Sequence, residues 1–151
     1  MLKKMKKAFT ITELVIVIAV IAILAAVLSP TFTTVVNKAN ESAAMQEAKS
    51  EWTTCSAEIV TTVNASKMNY LIVRDGYAFV VKDGNFDVNP IAKGVEADEK
   101  PTVGTGYTVG DQVYGFDKNG TTVTTNAAAV PEDGYAFSDG FTVYLLTVAG
   151  A

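Results

Sequence analysis

The chain has no histidine and only one cysteine among its 151 residues. Without histidine it lacks the commonest general base and the commonest neutral metal ligand, and no serine stands in a nucleophile-elbow setting, so catalysis is not expected. A single cysteine rules out an internal disulfide. Cys55 also falls at helical spacing among apolar residues, the usual setting of a buried, reduced thiol. Basic residues are scarce too, 12 Lys and Arg against 16 Asp and Glu, for a formal net charge of −4. Such a surface does not neutralise phosphates, so nucleic acid is not an expected partner. Asp111, Asp117, Asn119, Asp133 and Asp139 could offer oxygens to a cation. The run Asp117-Lys118-Asn119-Gly120, however, lacks the alternating oxygen ligands that a calcium loop places before its glycine, and no metal or other cofactor is expected.

What the chain does have is concentrated at its start. Lys3, Lys4, Lys6 and Lys7 precede Phe9-Thr10-Ile11-Thr12-Glu13, and fifteen uninterrupted apolar residues follow from Leu14 to Leu28. A secretory signal peptide cut near Ala25 and Ala26 has a similar outline, but it gains nothing from Thr10, Thr12 and Glu13 between its lysines and its apolar run. A plain membrane anchor also fits, since Phe9 to Leu28 as a helix spans roughly 30 Å, one hydrocarbon thickness, with the lysines holding its start in the cytoplasm. Neither reading explains a carboxylate at the edge of hydrocarbon, where a lone charge is costly and calls for a positive partner.

The segment from Ala8-Phe9-Thr10-Ile11-Thr12-Glu13-Leu14 through Ala26, with Pro30 beyond it, resembles the N-terminus of prepilins: type IV pilins, type II secretion pseudopilins and competence pilins. The likeness covers about residues 3 to 40. It implies cleavage between Ala8 and Phe9 by a membrane prepilin peptidase, which also methylates the new amino group of Phe9. It further implies a structural subunit that waits in the cytoplasmic membrane, N-terminus inside and globular domain outside. The subunit then polymerises with copies of itself into a surface filament, driven by an assembly platform and ATPase. In this reading Glu13 of one subunit pairs with the Phe9 amine of the next. Two positions depart from the family pattern: Ala8 stands where Gly is usual, and Ala22 where many members have a Gly. Ala holds a helix better than Gly by roughly 1 kcal/mol, which opposes local melting during assembly. Loss of the leader lysines takes the formal charge from −4 to −8. The resemblance leaves two other roles open, a type II secretion pseudopilin and a minor pilin acting as an adhesin through aromatics such as Tyr107, Tyr114, Tyr135 and Phe137.

The expected fold is α+β and pilin-like: one long N-terminal helix, kinked at Pro30, packed on a small, mainly antiparallel sheet. The organisation read from the sequence is a leader at 1–8, an apolar helix at 9–30, its amphipathic continuation at 31–66 and a β-rich domain at 67–151. Proline inside a helix removes the bond to the carbonyl four residues back and clashes with it, which places the kink. Past Pro30, Phe32, Val36, Ala39 and Ala43 form one apolar series. Met45, Ala48, Trp52, Cys55, Ile59 and Val63 form another, read as the face against which the sheet packs. The many threonines are poor helix formers, so packing must hold this part.

Beyond Asn69 the period shortens. Tyr70–Arg74 and Tyr77–Lys82 read as strands around Asp75-Gly76, a tight-hairpin signal, and Asp83-Gly84 marks another turn. Residues 91–106 read as a surface loop, and 112–116 with 121–125 as a second hairpin around Asp117–Gly120. Phe141–Val148 is apolar on both faces, the pattern of a strand covered by the helix on one side and by a loop or a neighbouring subunit on the other. Asp75-Gly76-Tyr77-Ala78-Phe79 recurs as Asp133-Gly134-Tyr135-Ala136-Phe137, attributed to shared hairpin chemistry.

Overall fold

The computed structural model describes residues 9–59, 68–96, 99–125 and 130–149. Ala8, the four leader lysines, the end of the expected helix at 60–66, Val63 and Asp98 lie outside them. The chain divides into two units, one ending at Ala39 and the other starting at Asn40. Helix α1 (Ile11–Ile59) contributes to both. In the first unit its side chains are exposed on every face, from Leu14 to Val35. α1 continues through Pro30 instead of ending there.

The second unit is a helix on sheet. The main sheet is built from β1 (Asn69–Arg74), β2 (Tyr77–Lys82), β3 (Asn85–Phe86), β5 (Tyr107–Val113) and β9 (Thr142–Val148) in the order β3-β2-β1-β9-β5, with β4 (Ala92–Lys93) also paired to β2. Every pairing in it is antiparallel. Its long interior strands read as apolar runs because both faces are covered. Tyr70, Ile72, Phe79, Val81 and Val143 meet Ala44, Ala48, Trp52 and Cys55 of α1, while Leu71, Val73, Ala78, Val80, Tyr144 and Leu146 form a second core on the opposite face. The sheet-facing stripe also includes Ala44, which neither apolar series contained, while Ala43 is exposed. Met45 packs at the margin of the core.

The cover on the far face is the segment read as a surface loop, and that reading is corrected. Ile91, Ala92, Val95 and Val103 pack on the second core, and the main-chain N–H groups of Ile91 and Val95 donate to the carbonyls of Ala78 and Gly76 at 2.8 and 3.0 Å. β4 is two residues long, too short to show alternation in a sequence. The Asp-Gly hairpin stands as expected: Asp75 and Gly76 have φ of 48° and 80°, and Asp83 and Gly84 of 50° and 79°, the double positive φ of a turn matched to sheet twist.

The second hairpin forms a separate sheet. Gln112 and Val113 remain on β9 as part of β5, and the chain changes sheets at Tyr114. β6 (Gly115–Phe116) then pairs with β7 (Thr122–Val123) and with β8 (Tyr135–Ala136). A Cβ on Gly115 would lie against the Tyr135 carbonyl, so only glycine permits this approach. The two Asp-Gly-Tyr-Ala-Phe stretches differ in backbone: Gly76 has positive φ, whereas Gly134 closes a turn by donating to the Pro131 carbonyl at 2.9 Å. The shared words do not encode a shared hairpin.

In the β6–β7 turn, Asp117 Oδ1 accepts from the main-chain N–H of Asn119 and of Thr121, both at 2.8 Å. These bonds, the one from Thr121 foremost, hold the Asp117 carboxyl below its usual range. A carboxylate depressed in the folded state contributes stability above its unfolded value and loses it as pH falls through the folded value. The protection factors of the Asn119 and Thr121 amides, taken against the intrinsic exchange rate at each pH, should therefore be highest at neutral pH and fall as acid protonates Asp117, below the ordinary carboxylate range. Protection factors left unchanged by Asp117→Asn would contradict this.

Acidic residues of α1 tie the elements of this unit together at the core's margin. Glu41 takes Lys93 Nζ at 2.6 Å, and Glu47 takes Arg74 at 2.8 Å, with the Arg74 guanidinium over the Phe141 ring. Glu51 accepts from Tyr135 Oη and from the main-chain N–H of Ser138, each at 2.9 Å. Cys55 is fully buried beneath them, and desolvation, with the Glu51 charge second, raises its thiol far above the ordinary value. Alkylation of the native protein at mild alkaline pH should thus be slower than after denaturation by on the order of a hundredfold or more. Equal rates would place the thiol at the surface.

Candidate functional site

The site expected from the sequence is the head of α1. Phe9 and Thr10 precede the helix, and Thr10 is its N-cap. The Thr10 carbonyl accepts from Leu14 N at 3.2 Å, and Thr10 Oγ1 accepts from Glu13 N at 3.3 Å. Glu13 Oε2 in turn accepts from Thr10 N at 3.0 Å and from Thr10 Oγ1 at 2.9 Å. This is a reciprocal capping box, Thr-x-x-Glu, in which a carboxylate three residues into the helix satisfies the donor that the cap leaves open. Its negative charge also suits the positive end of the helix dipole.

Within one chain the partners of this carboxylate are the neutral donors of Thr10. Both contacts fall on the single oxygen Oε2. The Thr10-Ile11-Thr12-Glu13 spacing carries the capping-box signal within the same residues that head the apolar run.

Behind the cap, α1 exposes Leu14, Ile16, Ile18, Ile21, Leu24 and Leu28 at half their area or more. An apolar surface that surrounds a helix excludes water only when lipid or other helices cover it. By length and composition α1 is sufficient to cross a membrane. Near Pro30 the helix carries hydroxyls that are satisfied internally: Thr33 Oγ1 donates to the Ser29 carbonyl at 3.1 Å and Thr34 Oγ1 to the Pro30 carbonyl at 3.0 Å. Back-bonding of this kind lets threonine sit in apolar surroundings without an orphan donor, and it bends helices, as does the proline. The first apolar series belongs to this region. Phe32 is 70% exposed, so that series does not serve the sheet-facing core.

Two of the residues that could offer oxygens to a cation are engaged within the chain. Asp117 holds its own turn, and Asp133 lies 3.5 Å from Lys118 Nζ. Among the described residues no three His, Cys, Asp or Glu side chains come together as metal ligands. The aromatics considered for adhesion are half-buried: Phe137 meets the edges of Phe116 and Tyr135, each with ring centroids 5.8 Å apart. Cys55 faces the core.

Residues 3–29 match the family described as the prokaryotic N-terminal methylation motif, the type IV prepilin-like signature. No curated protein and no solved structure matches the chain.

Proposed function

We propose that this chain, type IV pilin- or pseudopilin-like at its N-terminus, is the structural subunit of a surface filament. The motif implies processing by a prepilin peptidase, and the apolar helix is consistent with membrane anchoring of the precursor. In the reading advanced here, cleavage between Ala8 and Phe9 creates a terminal ammonium, which is then methylated. The unit up to Ala39 passes from lipid to the company of identical helices. Head-to-tail packing of this kind is heterologous and does not close, so it propagates as a fibre.

The observation that carries the proposal is the apolar surface around α1 behind an acidic, capped helix start, all within the matched motif. In the filament, Glu13 exchanges its contacts with Thr10 for the Phe9 ammonium of a neighbouring copy. A charge-assisted bond in apolar surroundings is stronger than a neutral one, so the exchange favours assembly. A kink at Pro30 sets the course of each helix among its neighbours. An assembly platform and ATPase supply the work of extraction.

Mass spectrometry of material sheared from the cell surface tests the whole reading. The expected species begins at Phe9 and carries a methyl group. A chain that still begins at Met1, or one trimmed near Ala26, would overturn it. The same geometry serves a pseudopilin, and secretion of cargo by a strain lacking this chain separates the two roles.

A further inference from the structure

Three Asn-x-Ser/Thr triplets occur in the chain: Asn40-Glu41-Ser42, Asn64-Ala65-Ser66 and Asn119-Gly120-Thr121. Such a triplet accepts an N-linked sugar when a transferase reaches both the amide and the hydroxyl, which requires a surface loop in an exported protein. The fold distinguishes among the three. Asn40 and Ser42 lie within α1, where residues two apart do not share a face, so one catalytic site does not meet both. Asn64 lies outside the described residues.

Asn119 and Thr121 are both exposed, on the turn that joins β6 to β7. The turn is already shaped. The Asp117 carboxylate binds the main-chain N–H groups of Asn119 and Thr121, Asp117 N donates to the Thr121 carbonyl at 3.0 Å, and Gly120 N donates to the Asp117 carbonyl at 2.9 Å. The Thr121 hydroxyl also donates to the Asp117 carboxylate, which turns it toward the same side of the turn, and the middle residue of the triplet is a glycine with φ of 74°, which adds no bulk between amide and hydroxyl. The main-chain bonds also engage the Gly120 nitrogen. That atom would otherwise attack the Asn119 side chain and expel ammonia, the usual fate of an exposed Asn-Gly pair.

We propose that Asn119 is an N-glycosylation site whose sugar donor is a lipid-diphosphate-linked oligosaccharide. Asn119 Nδ2 forms a bond to the anomeric carbon and the bond from that carbon to the diphosphate oxygen breaks. The lipid diphosphate leaves with the electron pair, and one amide proton passes to a base of the transferase. Asp117 is a positioning residue that holds the acceptor and the Thr121 hydroxyl on one turn. The inference rests on the proposal that the β-rich unit is carried outside the cytoplasmic membrane.

The test is glycopeptide mass spectrometry of the full chain recovered from sheared filaments of its native producer. The Asn119 peptide should carry a glycan that a peptide N-glycanase removes, leaving aspartate labelled from heavy-oxygen water. Asn119→Gln and Thr121→Ala should lose the sugar, Thr121→Ser should keep it, and Asn40→Gln should leave occupancy unchanged. Asp117→Ala should lower occupancy while the chain still reaches the surface. A bare Asn119 in filament-derived protein overturns the inference and leaves the filament reading standing. Aspartate at 119 before enzyme treatment also overturns it, in favour of ammonia loss. A bare chain confined to the cytoplasmic side overturns both.

Discussion

Glu13→Val should yield a protein that enters the membrane in normal amount and is cut before Phe9, yet assembles more than roughly a hundredfold less filament, because a cation stranded in apolar surroundings is strongly disfavoured. The expectation combines a filament contact with a local one. Valine removes the acceptor for Thr10 N and Thr10 Oγ1, so the capping box is lost along with the intersubunit pair. Glu13→Gln separates the two effects: its amide oxygen still accepts from Thr10, but it carries no charge to offset the ammonium. If the pair dominates, Gln behaves like Val. If the cap dominates, Gln restores most of the filament. Thr10→Val provides the converse, losing the hydroxyl while keeping the carboxylate. Electron microscopy of shear fractions, with immunoblots of membranes as the loading control, reads all three. Wild-type filament from Glu13→Val would end the pairing proposal.

Phe116→Ala should produce the largest loss of stability in the globular unit, about 3 to 5 kcal/mol, since a fully buried aromatic is removed and a cavity remains. Phe116 belongs to the small sheet but inserts into the main core, edge-on to Tyr70 with ring centroids 5.8 Å apart and against Phe137 at the same separation. Its removal therefore detaches the β6–β7–β8 sheet from the helix-facing core. Trp52 is the chain's single tryptophan and lies 5.4 Å from Tyr70, so its fluorescence reports the loss. For a unit of this size the unfolding midpoint of the detergent-solubilised chain should fall by roughly 10 to 20 °C. Phe32→Ala is the control: the side chain is 70% exposed, and its removal should hardly move the midpoint. A Phe116→Ala loss below about 1 kcal/mol would show that the small sheet is not anchored by this ring.

Much of this was legible in the chain because it depends on local rules. The apolar run, the lysines before it and Glu13 at its head required only composition and order. Helical spacing named Ala48, Trp52 and Cys55 as core. The Asp75-Gly76 and Asp83-Gly84 turns follow from the backbone those residues adopt readily. The capping box is equally local, since Thr10 and Glu13 stand at the Thr-x-x-Glu spacing that defines it. For the proposed glycosylation, the triplets are plain in the sequence, but nothing local separates Asn40 from Asn119.

Long-range contact decided the rest. Whether the 91–106 segment hangs in solvent or covers the sheet depends on apolar surface supplied by Leu71, Val80 and Tyr144, far away along the chain. The break at Tyr114 depends on Tyr135 lying close enough that Gly115 is required, a steric fact with no trace in the neighbouring residues. The sequence alone determined the greasy, acid-headed helix and its prepilin-type signature, because hydropathy and charge act on each residue where it stands. Only the tertiary structure decided which faces are covered, which sheet each short strand joins and which asparagine sits on an open turn, because those outcomes require distant segments to meet.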